Sequence, residues 1–254
     1  MTTRDRAPVG APVWIDLMTT DTDRARSFYG ELFGWDCDEG DAEFGGYANF
    51  TRDGEQIAGL MGAMPDAQPD VWSVYLAVDD AAATVAAAEA EGAPVYVPPM
   101  QVGDYGTMAV IADPGGAAVG MWQPDTHVGI TTLAEPGAPH WFELHTRSYE
   151  PSLDFYRKVF GWDTHTASDE ELFRYTTLGE GEGQLAGVMD NSNDLPEGTP
   201  GFWVVYINVT SADATVEKLV ALGGSVVHPA EDTPYGRLAA VTDPMGAAFS
   251  LCQP

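Results

Sequence analysis

Positive charge is what this chain has least of: 11 Lys and Arg stand against 39 Asp and Glu in 254 residues, a formal net charge of −28. Such a surface repels phosphate backbones and anionic headgroups, so neither nucleic acid nor membrane is an expected partner. Small cations would be concentrated near it, although solubility is the commoner reason for such acidity. Cysteine is scarce too. Cys37 and Cys252 lie near the ends of different halves and do not recur in register, which argues against a disulfide framework and leaves no CxxC-type metal knuckle. No window is apolar enough to span a bilayer, and residues 1–12 lack the apolar run of a signal peptide, so the expected address is the cytoplasm. No GxSxG, P-loop or GxGxxG pattern occurs in strand–helix context, which leaves nucleophilic hydrolase, NTPase and dinucleotide readings without support.

What is present is a duplication. Gly10-Ala11-Pro12-Val13-Trp14 returns as Gly137-Ala138-Pro139-His140-Trp141, and Phe33-Gly34-Trp35-Asp36 as Phe160-Gly161-Trp162-Asp163. Tyr105-Gly106 matches Tyr235-Gly236, Asp113-Pro114 matches Asp243-Pro244, and Gln123-Pro124 matches Gln253-Pro254. A repeat on this scale means two similar domains, residues 9–124 and 137–254, with the polar segment 125–136 as linker. Each domain holds two units. In the first, a strand around Val13–Met18 leads into a helix opening near Asp21-Thr22, both good N-caps, and ending at Gly34. Strands follow at Tyr47–Thr51 and Gln56–Met61, joined by the hairpin dipeptide Asp53-Gly54. The second unit begins with a strand at Ser73–Val78 and a helix at Ala81–Glu91. Two strands, Met108–Ala112 and Ala117–Trp122, then flank the turn Asp113-Pro114-Gly115-Gly116. The expected class is α+β: a tandem duplication of a domain built from two βαβββ modules.

Strand alternation sorts the side chains into two sets. Val74, Leu76, Val78, Val119 and Met121 are apolar and suit packing under a helix. The opposite parity holds Trp14, Asp16, Met18, Ser73, Tyr75, Gly120 and Trp122 in the first domain. In the second it holds Trp141, Glu143, His145, Val204, Tyr206, Ser250 and Cys252. Aromatic side chains beside a carboxylate are unusual for a core, and on a concave wall they bind planar ligands by stacking and burial. Asp16 or Glu143 would meet a ligand ammonium or hydroxyl. The bland alternative has the tryptophans filling space, with the carboxylates solvated or held by Arg24 or Arg147. Tyr105 and Tyr235 are expected in loops over the cleft mouths, with Arg237 close to the second. Glu143 and His145 are candidate acid–base catalysts, although residues two apart on a strand are separated by about 6–7 Å, too far for a direct hydrogen bond without side-chain reach.

The first strand running into a helix with Phe-Tyr, then Phe-Gly-Trp, then Asp-Pro-x-Gly before a last strand, twice in register, resembles the vicinal oxygen chelate superfamily. That superfamily contains glyoxalase I, bleomycin-resistance proteins and extradiol dioxygenases. The pattern is most similar to its two-domain actinobacterial branch, which includes a mycobacterial culture-filtrate antigen and accessory proteins of anthracycline biosynthesis. The resemblance implies that each domain curls a U-shaped mixed sheet around a cleft, with helices outside. It also implies three metal-ligand positions per domain, which here hold Trp14, Ser73 and Gly120, and Trp141, Val204 and Ser250. None offers an imidazole, carboxylate or thiolate donor, so neither a metal nor any other cofactor is expected. The function so implied is binding of a planar aromatic ligand, cationic if anthracycline-like, for sequestration, self-resistance or assistance to a tailoring oxygenase. The alternative is a lyase- or oxygenase-type enzyme of the same superfamily, working without a cofactor or with relocated metal ligands. Pairing of the two domains within one chain would allow a monomer.

Overall fold

A computed structural model of the chain describes residues 2–63 and 70–254. The short strand β1 (Thr2–Thr3) precedes the first domain, which opens with β2 (Pro12–Thr19) and α1 (Thr22–Phe33). Next come β3 (Asp36–Cys37), β4 (Ala48–Arg52) and β5 (Glu55–Gly62), which complete the first module. The second module is β6 (Val71–Ala77), α2 (Ala81–Ala90), β7 (Val95–Val102), β8 (Gly106–Ala112) and β9 (Ala118–Pro124). All eight strands from β2 to β9 form one mixed sheet in the order β3-β4-β5-β2-β6-β9-β8-β7. The two modules therefore meet within the domain, through the antiparallel pair β2–β6.

Local chemistry accounts for most boundaries. Asp21 caps α1 by accepting the Arg24 N–H at 2.9 Å, a contact worth about 1 kcal/mol. Gly34 ends that helix in the left-handed conformation at φ 76°. Asp53 and Gly54 both take positive φ, 53° and 87°, as a two-residue hairpin requires. The strand β7 is hidden in the sequence by Pro98-Pro99. It lies at the sheet edge, where missing N–H donors are tolerated, and its pairing to β8 is irregular between Val97 and Met100.

After the first sheet, β10 (Thr132–Leu133) pairs with β1, so the linking segment is partly structured. The second domain repeats the plan with β11 (Pro139–Thr146), α3 (Tyr149–Phe160), β12 (Thr164–Glu170), β13 (Phe173–Leu178) and β14 (Ala186–Asp190). It closes with β15 (Phe202–Asn208), α4 (Ala212–Ala221), β16 (Ser225–Thr233), β17 (Gly236–Thr242) and β18 (Ala248–Gln253). Its sheet order, β12-β13-β14-β11-β15-β18-β17-β16, matches the first strand for strand. The expected α+β tandem duplication of βαβββ modules is the architecture found.

The motifs that reveal the duplication also join the domains. Tyr29 of α1 donates to Asp243 at 3.1 Å, and Tyr156 of α3 donates to Asp113 at 3.5 Å. The Trp35 indole N–H reaches the Gly137 carbonyl at 2.7 Å, and that of Trp162 reaches Gly10 at 2.8 Å. Tyr29 and Phe33 also pack on Phe249 of the other domain. Both aspartates are buried, and the backbone N–H groups of their own turns satisfy the remaining oxygens. Among the described residues, no helix is long and apolar enough to cross a membrane.

Candidate functional site

The cleft-facing parity converges on a cavity of about 500 Å³ in the first domain, within the range of small-molecule sites. Its floor is Trp14 and Asp16 of β2 with Tyr75 of β6. Trp122 of β9 forms one flank. Tyr47 and Asn49 come from one end of the sheet, and Met100, Val102 and Met108 from the other. Strands far apart in sheet order line one space, so the sheet curls around it. At the mouth, Phe44 and Tyr105 meet edge to face with centroids 5.6 Å apart.

Register explains how two side chains enter the floor. Tyr47 lies with its hydroxyl over Gly59, where a Cβ would stand 1.8 Å from the phenol oxygen. The Tyr75 ring lies across Gly120, where a Cβ would stand 2.2 Å from it. Glycine at both positions is therefore a space requirement, and at Gly120 the space goes to an aromatic wall.

Asp16 is only 4% exposed, and burial pushes its carboxyl up to about 6 despite the neighbouring Tyr75 and Ser73 hydroxyls. Arg24, considered as its counter-ion, instead donates to the Leu222 carbonyl. Tyr47 accepts from the Trp14 indole N–H at 2.8 Å, which is its one side-chain hydrogen bond among the described residues.

The second domain builds the same positions into a closed cluster. Glu143, 6% exposed, accepts from the Tyr175 hydroxyl, from Tyr206 at 2.9 Å and from His145 at 2.8 Å. Burial alone would raise its pKa, but the His145 bond and charge and the two tyrosines together hold it below the usual carboxylate range. Trp141 donates to Tyr175 at 2.9 Å, and the His145 ring stacks on Phe202. The gap expected between Glu143 and His145 is closed by the reach of their two side chains. Arg147 does not touch Glu143, because it donates to the Ser192 and Leu195 carbonyls.

Two other expected positions fall elsewhere, whereas Tyr235 keeps its expected loop position, between β16 and β17. Met18 pairs with Val71 and Met61 at the strand end, outside the cavity lining. Tyr235 is 60% exposed. Arg237 turns to the helix side, where Asp213 of α4 and Asp232 hold it at 2.8–2.9 Å. On β17 it shares parity with buried Ala239 and Val241, so a cleft position is excluded.

Sequence reasoning missed Tyr47, Phe44, the three cavity methionines and His127. Tyr47 was detectable, because Asn49 and Thr177 both pair with the glycine opposite the cleft carboxylate, making Tyr47 and Tyr175 equivalents. His127 belongs to the segment read as linker. Its ring meets Trp14 edge-on at 4.4 Å, its carbonyl accepts from Trp122 at 2.8 Å, and burial lowers its pKa to about 4.

The side chains at both cleft centres do not fit a divalent cation. The floor of the first offers one carboxylate among aromatics, and Glu143 is already saturated. Among the described residues, no three His, Cys, Asp or Glu side chains are grouped to hold a metal.

Comparison with known proteins agrees with this architecture. The family model described as Glyoxalase/Bleomycin resistance protein/Dioxygenase superfamily matches residues 11–121 and 138–251. CFP32 of Mycobacterium tuberculosis, which carries a glyoxylase name, is 40% identical over 96% of this chain and 95% of its own. The anthracycline biosynthesis protein DnrV of Streptomyces peucetius is 34% identical over 96% and 93%. Among solved structures, the Mn(II)-bound glyoxalase of Novosphingobium aromaticivorans superposes with TM-score 0.67 at 16% identity, covering 96% of this chain and 82% of that one. The 2,3-dioxygenase LapB of Pseudomonas sp. KL28 gives 0.68 at 13%, covering 98% and 93%. At such identities these two structures speak for the fold alone. The chain belongs to the glyoxalase/bleomycin resistance protein/dioxygenase superfamily.

Proposed function

We propose that this protein binds a planar aromatic small molecule in its first-domain cleft, without a metal. The observation that carries this reading is the cavity of about 500 Å³ walled by Trp14, Tyr47, Tyr75 and Trp122, with Asp16 as the buried charge on its floor. Each stacked aromatic contact contributes about 0.5–1.5 kcal/mol beyond area burial. A buried carboxylate held by hydroxyls, with no counter-ion among the described residues, favours a ligand that brings an ammonium or a further hydroxyl donor. An amino-sugar-bearing anthracycline supplies both plane and cation, and the relative DnrV is named for anthracycline biosynthesis. Sequestration, self-resistance or service to a tailoring oxygenase would each use such binding.

Titration with daunorubicin, followed by tryptophan fluorescence, tests this. Saturable quenching at micromolar concentration is expected for the wild type and should weaken in Trp14→Ala. Absence of quenching in the wild type, or stoichiometric metal in the purified protein, would overturn the reading.

A further inference from the structure

The two domains place the same three groups together, an indole N–H, a tyrosine hydroxyl and a carboxylate, but only the second connects all three. Trp141 donates to Tyr175, and Tyr175 donates to Glu143. In the first domain Trp14 donates to Tyr47, and the relay stops there. Asp16 is one methylene shorter than Glu143, and no hydrogen bond joins it to Tyr47. The Tyr47 hydroxyl proton therefore has no protein acceptor among the described residues, while Tyr47 and Asp16 both line the cavity. Asp16 takes hydroxyl hydrogen bonds from Tyr75 and Ser73 but none from Tyr47. An unspent phenol donor beside a buried carboxylate is the arrangement that polarises a carbonyl while removing a proton next to it.

We propose that the first cleft is a proton-transfer site for aromatic ketones with an enolisable C–H, with Asp16 as base and Tyr47 as donor to the carbonyl oxygen. The proposal rests on the binding reading above and assigns that cleft an activity. Asp16 takes the proton from the carbon beside the carbonyl. The C–H electron pair becomes a C=C bond, and the carbonyl oxygen takes the charge under the Tyr47 hydroxyl. Return of the proton from Asp16 to the same or another carbon of the enolate completes exchange or isomerisation. No oxidation state changes, and no co-reactant is needed. Burial brings Asp16 near the pH at which a carboxylate is both ionised and basic. The titratable groups beside it are Tyr47 and Tyr75, and the same cavity is lined by Asp41, Tyr105 and His127, whose ring burial keeps neutral.

The test uses 2-tetralone in D2O, with deuterium uptake followed by NMR and binding followed by tryptophan fluorescence. Exchange above the buffer rate is expected, rising with pH through about 6. Asp16→Asn should lose about 100-fold, and Tyr47→Phe at least about 10-fold, with melting temperatures confirming that both fold. Asp16→Glu is the sharper variant. It keeps the carboxylate but should close on Tyr47 as Glu143 closes on Tyr175, lowering exchange by about 10-fold or more. Exchange no faster than buffer, or undiminished in Asp16→Asn or Asp16→Glu, overturns the proton-transfer inference. If daunorubicin still quenches, the binding reading survives that result. If neither compound quenches, both fail.

Discussion

The two clefts repeat one sheet order, one register and one tryptophan, and the carboxylates on their floors differ by one carbon. Glu143 reaches three donors and is held ionised among them, whereas Asp16 reaches fewer and stays desolvated. A buried carboxylate saturated by hydrogen bonds stabilises a fold, and one left short of partners is a cost retained for what it can meet. The lesson is that burial of an acid says little by itself. The number of donors within reach decides whether it is a structural pin or a binding group.

The largest expected effect that would break this contrast is one of sign. Asp16 has a raised folded pKa, so the folded state holds its proton more tightly, and stability falls as pH rises from about 4 to about 6. Asp16→Asn should therefore raise stability at pH 7 by up to about 3 kcal/mol, with the gain fading by pH 4. Glu143 has a lowered folded pKa, so its contribution is present above the ordinary carboxylate value and lost as pH falls through the lowered one. Glu143→Gln should cost about 2 kcal/mol at pH 7, and less in acid. Thermal melts of both variants at pH 4 and 7 check this. Shifts of the same sign at pH 7 would erase the contrast.

A smaller effect concerns affinity. Trp14→Ala should weaken daunorubicin binding by about 2 kcal/mol, a Kd ratio near 30, while Trp141→Ala leaves it within about threefold. Equal losses would mean that both clefts bind. The smallest concerns His127. Its edge contact with Trp14 suggests that His127→Ala weakens binding by about 0.5–1 kcal/mol with an unchanged melting temperature. Isothermal titration resolves that difference, and no change would place His127 outside the site.

Much of the frame was legible beforehand. Alternation put Trp14, Asp16 and Tyr75 on one wall, and caps and turn residues placed α1 and the Asp53-Gly54 hairpin. The strand β7 was not legible, because Pro98-Pro99 argues against a strand unless an edge position is known. Nor was the difference between the clefts. Asp and Glu are interchangeable in an alternation pattern, and only the structure shows which carboxylate reaches the tyrosine lying over the cleft glycine. His127 escaped because a polar segment between two domains reads as a spacer, whereas it folds back along β2, where the Ile130 N–H reaches the Val13 carbonyl at 2.8 Å. Arg237 was misplaced because Tyr235 lies in the turn before β17, and a turn residue does not share the alternation of the strand that follows it.

The crossed contacts between domains, Tyr29 to Asp243 and Tyr156 to Asp113, have a consequence for how such a chain can change. They are reciprocal, so two separate copies could make both across a two-fold axis. In that arrangement every substitution would strike both clefts at once. Covalent fusion removes the tie. One half is free to keep its carboxylate for holding the fold together, while the other gives up that support and leaves its own open to a visitor.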